Sequence, residues 1–170
     1  NGQLVLGFIG DLRRIENRES IEHFVKYVWP ALLEEFPAVE LKIFGECEPA
    51  TLNKLSSLAG VTVRGWVSSL ESAYSAIDIA IAPLLFRGGL KFKVAEARMF
   101  GKSVIASRVA ASGYEHDGGV FRADEPLEWV QVLSECLATG SVTFDYATDL
   151  NNKVESYLDW TERRLGQRTP

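Results

Sequence analysis

Residues 79–107 read Ile-Ala-Ile-Ala-Pro-Leu-Leu-Phe-Arg-Gly-Gly-Leu-Lys-Phe-Lys-Val-Ala-Glu-Ala-Arg-Met-Phe-Gly-Lys-Ser-Val-Ile-Ala-Ser. The apolar runs at its two ends, 79–83 and 103–107, have the length and composition of buried strands. Between them the pair Gly88-Gly89 opens a helical stretch over about 91–100. Strand, helix and strand in so short a span make a βαβ unit, whose two strands must run parallel.

The same alternation continues in both directions. Further strands are expected at 4–9, 39–44, 61–64 and 119–122, and further helices at about 50–58, 69–76, 126–138 and 149–165. The first crossover carries Ile21, Phe24, Val25, Val28, Leu32, Leu33 and Phe36 on one stripe, an amphipathic pattern. Pro30 interrupts it, so the helix should kink between Val28 and Trp29 or restart at Pro30. With neither repeats nor linkers in the chain, 1–170 is expected to be one domain. The fold class is α/β: a Rossmann-like, doubly wound parallel sheet of about six strands with helices on both faces.

Such sheets hold ligands outside the carboxyl ends of their strands, where the strand order reverses. With the order 3-2-1-4-5-6 the crevice falls between strands one and four. There the loop Gly10-Asp11-Leu12-Arg13-Arg14 would face Leu84-Leu85-Phe86-Arg87-Gly88-Gly89. The first amides of a helix point an uncompensated positive end at any anion. Gly88 and Gly89 allow close backbone approach, Lys91 and Lys93 add charge, and Glu96 lies on the same helix face as Lys93. Lys93 and Glu96 are separated by roughly 4.5 Å of helix rise. A cation for phosphate and a carboxylate for sugar hydroxyls suit a nucleotide-sugar site; a solvated ion pair is the plainer alternative.

Composition narrows the field. A net charge of −5, with no basic run carrying interleaved aromatics, argues against nucleic-acid binding. No apolar segment is long enough to span a bilayer, and no signal peptide is evident. Cys47 and Cys136, with no metal-ligand spacing, are expected to be inert buried thiols in a reducing compartment. His23 and His116 are the only histidines, too few for a multi-histidine metal centre. The chain begins at Asn1 and enters a strand-like run by Leu4, as expected of a processed chain or an excised domain.

Six landmarks in order give the chain a family likeness over roughly residues 4 to 165. They are Gly7-Phe8-Ile9-Gly10, Trp29-Pro30, Leu41-Lys42-Ile43-Phe44-Gly45, and Val61-Thr62-Val63-Arg64-Gly65-Trp66-Val67. Tyr74 with Ile77-Asp78-Ile79-Ala80-Ile81-Ala82-Pro83-Leu84 follows, and then Gly88 to Ala97 with Gly101-Lys102-Ser103-Val104-Ile105-Ala106-Ser107. Together they resemble the C-terminal, nucleotide-sugar-binding domain of a GT-B glycosyltransferase of the retaining group 1 family.

That resemblance implies roles. Glu96 matches the second glutamate of the family's paired motif, which binds the ribose hydroxyls of the donor. Gly88, Gly89 and Leu90 match the loop facing the donor phosphates and sugar, and Lys93 matches a lysine found in one subgroup. Gly65, Trp66 and Val67 match the loop beside the nucleobase, and Gly10 the turn under the diphosphate. Lys93 and Glu96 are thus the expected catalytic, donor-stabilising residues. There are departures too. Asp11 and Glu16 stand near positions where many members carry cations, and Gly88 stands at the first glutamate. Arg13, Arg14 and Arg87 are the candidates to replace the lost charge.

The implied reaction moves a sugar, of hexosyltransferase type, from a nucleotide-diphosphate sugar to an acceptor, with retention. No cofactor is implied, and with no Asp-x-Asp motif no metal either. The implied partners are the donor and an N-terminal acceptor domain absent from this chain, so alone the chain should bind donor weakly and transfer nothing. A cytoplasmic location is implied, with any peripheral membrane contact made by the missing part. The final helix, with Val154, Tyr157, Leu158, Trp160 and Leu165, is expected to present an apolar face to that part. Two other readings fit the residues. One is a degenerate domain kept as a binding or scaffold module, favoured by Asp11, Glu16 and Gly88. The other is a nucleotide-sugar epimerase, for which His116 is the only histidine in a loop.

Overall fold

The computed structural model describes residues 3–86 and 92–138. Six strands, β1 (Val5–Ile9), β2 (Glu40–Phe44), β3 (Val61–Gly65), β4 (Ile79–Ala82), β5 (Ser103–Ala106) and β6 (Val120–Arg122), form one sheet. All its pairings are parallel and its order is β3-β2-β1-β4-β5-β6, the order that places a crevice between β1 and β4. Each strand lies within two residues of its expected position. The helices are α1 (Ile15–Tyr27), α2 (Trp29–Glu35), α3 (Pro49–Ser56), α4 (Leu70–Ser75), α5 (Phe92–Met99), α6 (Arg108–Ala111) and α7 (Pro126–Ala138). The expected helix at 149–165 lies outside the described residues.

The period-two alternation of the strands sorts the core into two faces. Leu6, Phe8, Leu41, Ile43, Ile79, Ile81 and Ile105 point to one side and pack with Phe24, Trp29 and Trp129. The Trp129 and Phe24 rings meet edge to face at 4.9 Å. The opposite side is lined by Ala80, Ala82, Val104 and Ala106, against Tyr74, Val94 and Ala97. Small side chains on that side let α5 lie close to the sheet, so the helix and the ends of β1 and β4 share one surface.

Pro30 acts as the sequence predicts. Having no N–H, it cannot continue the ladder of α1, whose last bond runs from Val28 N–H to Phe24 O at 2.9 Å. A new helix starts at Trp29 with Pro30 in its first turn, where a missing donor costs nothing. The Trp29 indole N–H then reaches Ala59 O at 2.9 Å.

The four-residue α6 was not expected. Its signal is Ser107, whose hydroxyl accepts from Ala110 N–H at 3.2 Å as an N-cap. The same hydroxyl donates to Leu84 O at 2.7 Å, which ties the end of β5 to the loop after β4. The far end of α5 is fixed as firmly. Arg98 is fully buried; its Nε donates to Asp117 Oδ1 at 3.0 Å and its Nη1 to Lys102 O at 2.9 Å. A Cβ at Gly119 would collide with that guanidinium. Arg98 thereby sets the position of the helix that carries Lys93 and Glu96.

Candidate functional site

At the carboxyl ends of β1, β2 and β3 the sheet opens into a cleft of about 450 Å³, with the start of α5 as its far wall. Gly10 and Asp11 come from the loop after β1, Gly45 and Glu46 from the loop after β2, and Trp66 and Val67 from the loop after β3. Phe92, Lys93 and Glu96 come from α5. Segments far apart in sequence converge because parallel strands point all their carboxyl ends one way.

Lys93 and Glu96 form no ion pair with each other; each has another partner. Lys93 Nζ donates to Ile9 O at 2.7 Å and lies 4.9 Å from the centre of the Phe8 ring. It therefore sits beneath Gly10, where a Cβ would strike the ammonium. Burial pulls the Lys93 pKa down to about 8, with Glu96 opposing the shift and Arg14 adding to it. An ammonium has three N–H donors, and among the described residues the bond to Ile9 engages one of them. Glu96 accepts from the Tyr74 hydroxyl at 2.9 Å through Oε1. Its Oε2 has no hydrogen-bond partner among the described residues.

The loop after β1 is held by its own charges. Asp11 accepts from Arg13 Nε at 2.9 Å, from Arg13 Nη2 at 2.8 Å and from Arg13 N–H at 3.0 Å. Arg13 Nη1 also pairs with Glu46. The Arg13 guanidinium holds the Asp11 carboxyl below its usual range. Asn17 Nδ2 closes the turn by donating to Asp11 O at 2.8 Å. Arg13 thus lines the cleft while engaged with two carboxylates. Arg14 is exposed outside the lining, 3.8 Å from Glu16. Among the described residues the lining carries three carboxylates (Asp11, Glu46, Glu96) against two cations (Arg13, Lys93).

Gly45 joins these loops. Its φ of +132° is a region that side chains avoid, and a Cβ there would overlap Gly10 O. Its N–H donates to Gly65 O at 2.7 Å, so Gly65 supports the cleft from behind and does not line it. Trp66 and Phe92 both line the cleft and stay largely exposed, at 69% and 65%. Arg87, Gly88, Gly89, Leu90 and Lys91 lie outside the described residues. Glu46, Phe92 and Arg98 were not identified from sequence. They lie in an acidic loop, at a helix start and inside a helix, where nothing local marks them.

The cysteines and histidines stay away from the cleft. Cys136 is fully buried and its thiol is pushed up to about 12 by burial. Cys47, expected to be buried, is only half-buried, at the edge of the main core, and desolvation raises its thiol too. His116 is exposed in the loop before β6, and His23 is exposed on α1 against Tyr27. No three metal-ligating side chains gather among the described residues. Nor is any described helix long and apolar enough to cross a membrane.

Comparison with known proteins agrees with this architecture. The family model described as glycosyl transferases group 1 matches residues 3–139. Anabaena Alr3699/HepE, solved with UDP and glucose, superposes with a TM-score of 0.64 at 17% identity over 92% of this chain and 48% of its own. WaaG, a glycosyltransferase of lipopolysaccharide biosynthesis, superposes with a TM-score of 0.63 at 18% identity over 87% of this chain and 42% of its own. A UDP-bound S. aureus TarM variant gives a TM-score of 0.64 at 12% identity over 96% and 35%. The chain thus spans half or less of the length of these proteins. No curated protein matches it.

Proposed function

Because the chain belongs to the group 1 glycosyltransferases and has the Rossmann-like fold of GT-B enzymes, we propose that it is the donor-binding half of a sugar transferase. The donor is a nucleoside-diphosphate hexose, and transfer proceeds with retention and without a metal. One observation carries this reading: the start of α5 brings an ammonium and a tyrosine-held carboxylate into one cleft at the carboxyl ends of β1, β2 and β3. UDP stands in the neighbouring HepE and TarM structures, which favours a nucleoside diphosphate here.

In this reading Lys93 turns its free N–H donors to the diphosphate, and the first amides of α5 add their dipole. Both are fixed before the glycosidic bond breaks, so they stabilise the negative charge that develops on the leaving diphosphate. Glu96 holds the ribose, and Trp66 with Val67 borders the base. The acceptor is held by an N-terminal domain across the cleft, which also makes any membrane contact of this cytoplasmic protein. Neither histidine reaches the cleft, which counts against the epimerase reading.

Calorimetric titration of the intact protein with UDP, GDP and ADP tests the proposal. At least one should bind, and Glu96→Ala should weaken it roughly 30-fold, as expected for lost hydrogen bonds to a charged group. Unchanged affinity in that variant would remove Glu96 from the site.

The Asp11–Arg13–Glu46 network favours a second reading, a domain that has kept the fold as a binding module. Failure of every nucleoside diphosphate to bind the intact protein would establish it. In a working donor site, Asp11→Asn removes one of the two carboxylates that engage Arg13 and should tighten UDP binding about threefold at low salt. The gain should disappear in about 1 M salt, where exposed charges are screened.

A further inference from the structure

We infer that Tyr74 is the positioning residue for Glu96: its hydroxyl fixes one carboxylate oxygen so that the other meets the ribose diol of the donor. This rests on the proposed ribose role of Glu96 and supplies what that role requires.

Tyr74 belongs to α4 and Glu96 to α5, so the contact is made only by the packing of the two helices against the sheet. Tyr74 is 3% exposed and stacks on Phe100 at 4.6 Å with the ring planes 14° apart. A buried ring stacked on Phe100 holds its hydroxyl in one place, and there it donates to Glu96 Oε1 at 2.9 Å. A glutamate on a helix facing open solvent samples several rotamers. Anchoring one oxygen removes that freedom before the ligand arrives, and the ligand then loses less on binding. Oε2, which has no partner among the described residues, keeps lone pairs for two adjacent hydroxyls. Burial, and next the Glu96 charge, push the phenol pKa well up, so the hydroxyl remains a donor throughout the working pH range.

A core tyrosine that merely needs an acceptor would show the same contact, so the test must read ribose recognition and not stability. UDP and 2′,3′-dideoxy-UDP are titrated into the intact protein and into Tyr74→Phe, which keeps the ring and its stack. The parent should prefer UDP by about 30-fold. Tyr74→Phe should lose about tenfold for UDP and nothing for the dideoxy compound. If the parent discriminates and Tyr74→Phe retains the full preference, the inference is overturned while Glu96 keeps its role. If the parent does not discriminate, the ribose role of Glu96 fails, and the inference with it. Should Tyr74→Phe not fold, Phe100→Leu, in the turn just after α5, loosens the ring and should cut the preference about threefold; an unchanged preference there also overturns the inference.

Discussion

At pH 7 the Lys93→Met variant should bind UDP roughly 100-fold more weakly than the parent and uridine equally well. Methionine keeps the apolar stem against Phe8 and removes only the charge and its N–H donors. The effect is large because the ammonium is largely out of water, where attraction to an anion is screened less. The network around Arg13 makes the loss harder to replace, since among the described residues the other cation of the lining is engaged with Asp11 and Glu46. Equal loss for uridine would show that Lys93 supports the cleft as a whole and not the phosphates.

The pH dependence of binding has a definite sign. With a pKa of about 8, Lys93 is protonated at pH 7 and loses its proton just above that. A diphosphate binds the protonated form, so affinity should fall about tenfold between pH 7 and pH 9. In Lys93→Met the slope should vanish. Stability of the ligand-free protein moves oppositely. Between about 8 and the ordinary 10.5 the unfolded chain holds a proton that the folded chain has released, so this group favours folding more as pH rises.

Gly45→Ala should be the most damaging small change in the described fold. Alanine is strained at a φ of +132°, and its methyl would overlap the carbonyl oxygen of Gly10, which is backbone and cannot rotate away. Strain of about 1–3 kcal/mol and overpacking of about 1–3 kcal/mol together suggest a loss of about 3 kcal/mol. For a chain of this size that lowers Tm by roughly 10 °C. Because the displaced loop carries Gly10 and Asp11, UDP affinity should fall even where the variant is folded. A thermal melt beside a titration measures both. An unchanged Tm would mean that the loops after β1 and β2 shift apart at little cost.

Much of this protein was legible in its sequence, for a physical reason. Strand period and helix stripe are local properties, so Ile79-Ala80-Ile81-Ala82 and the stripe from Ile21 to Phe36 announce their elements without help from the rest of the chain. Pro30 and Ser107 act within a turn of themselves; the first was read and the second overlooked. The family likeness extended this to Lys93 and Glu96, which the fold does bring into one cleft.

The alternation of strands and helices is written in the sequence, and it implies a parallel sheet with its ligand cleft at one end. Whom each charged group meets is set by packing between distant segments. Lys-x-x-Glu on a helix face reads as an ion pair, yet packing sends the lysine to Ile9 O and the glutamate to the Tyr74 hydroxyl. Asp11, Arg13 and Glu46 read as separate loop charges, yet two strand ends bring them into one network. Hydrogen bonds and ion pairs act over about 3–4 Å, and partners at that range are set by how distant segments pack, which no local pattern encodes.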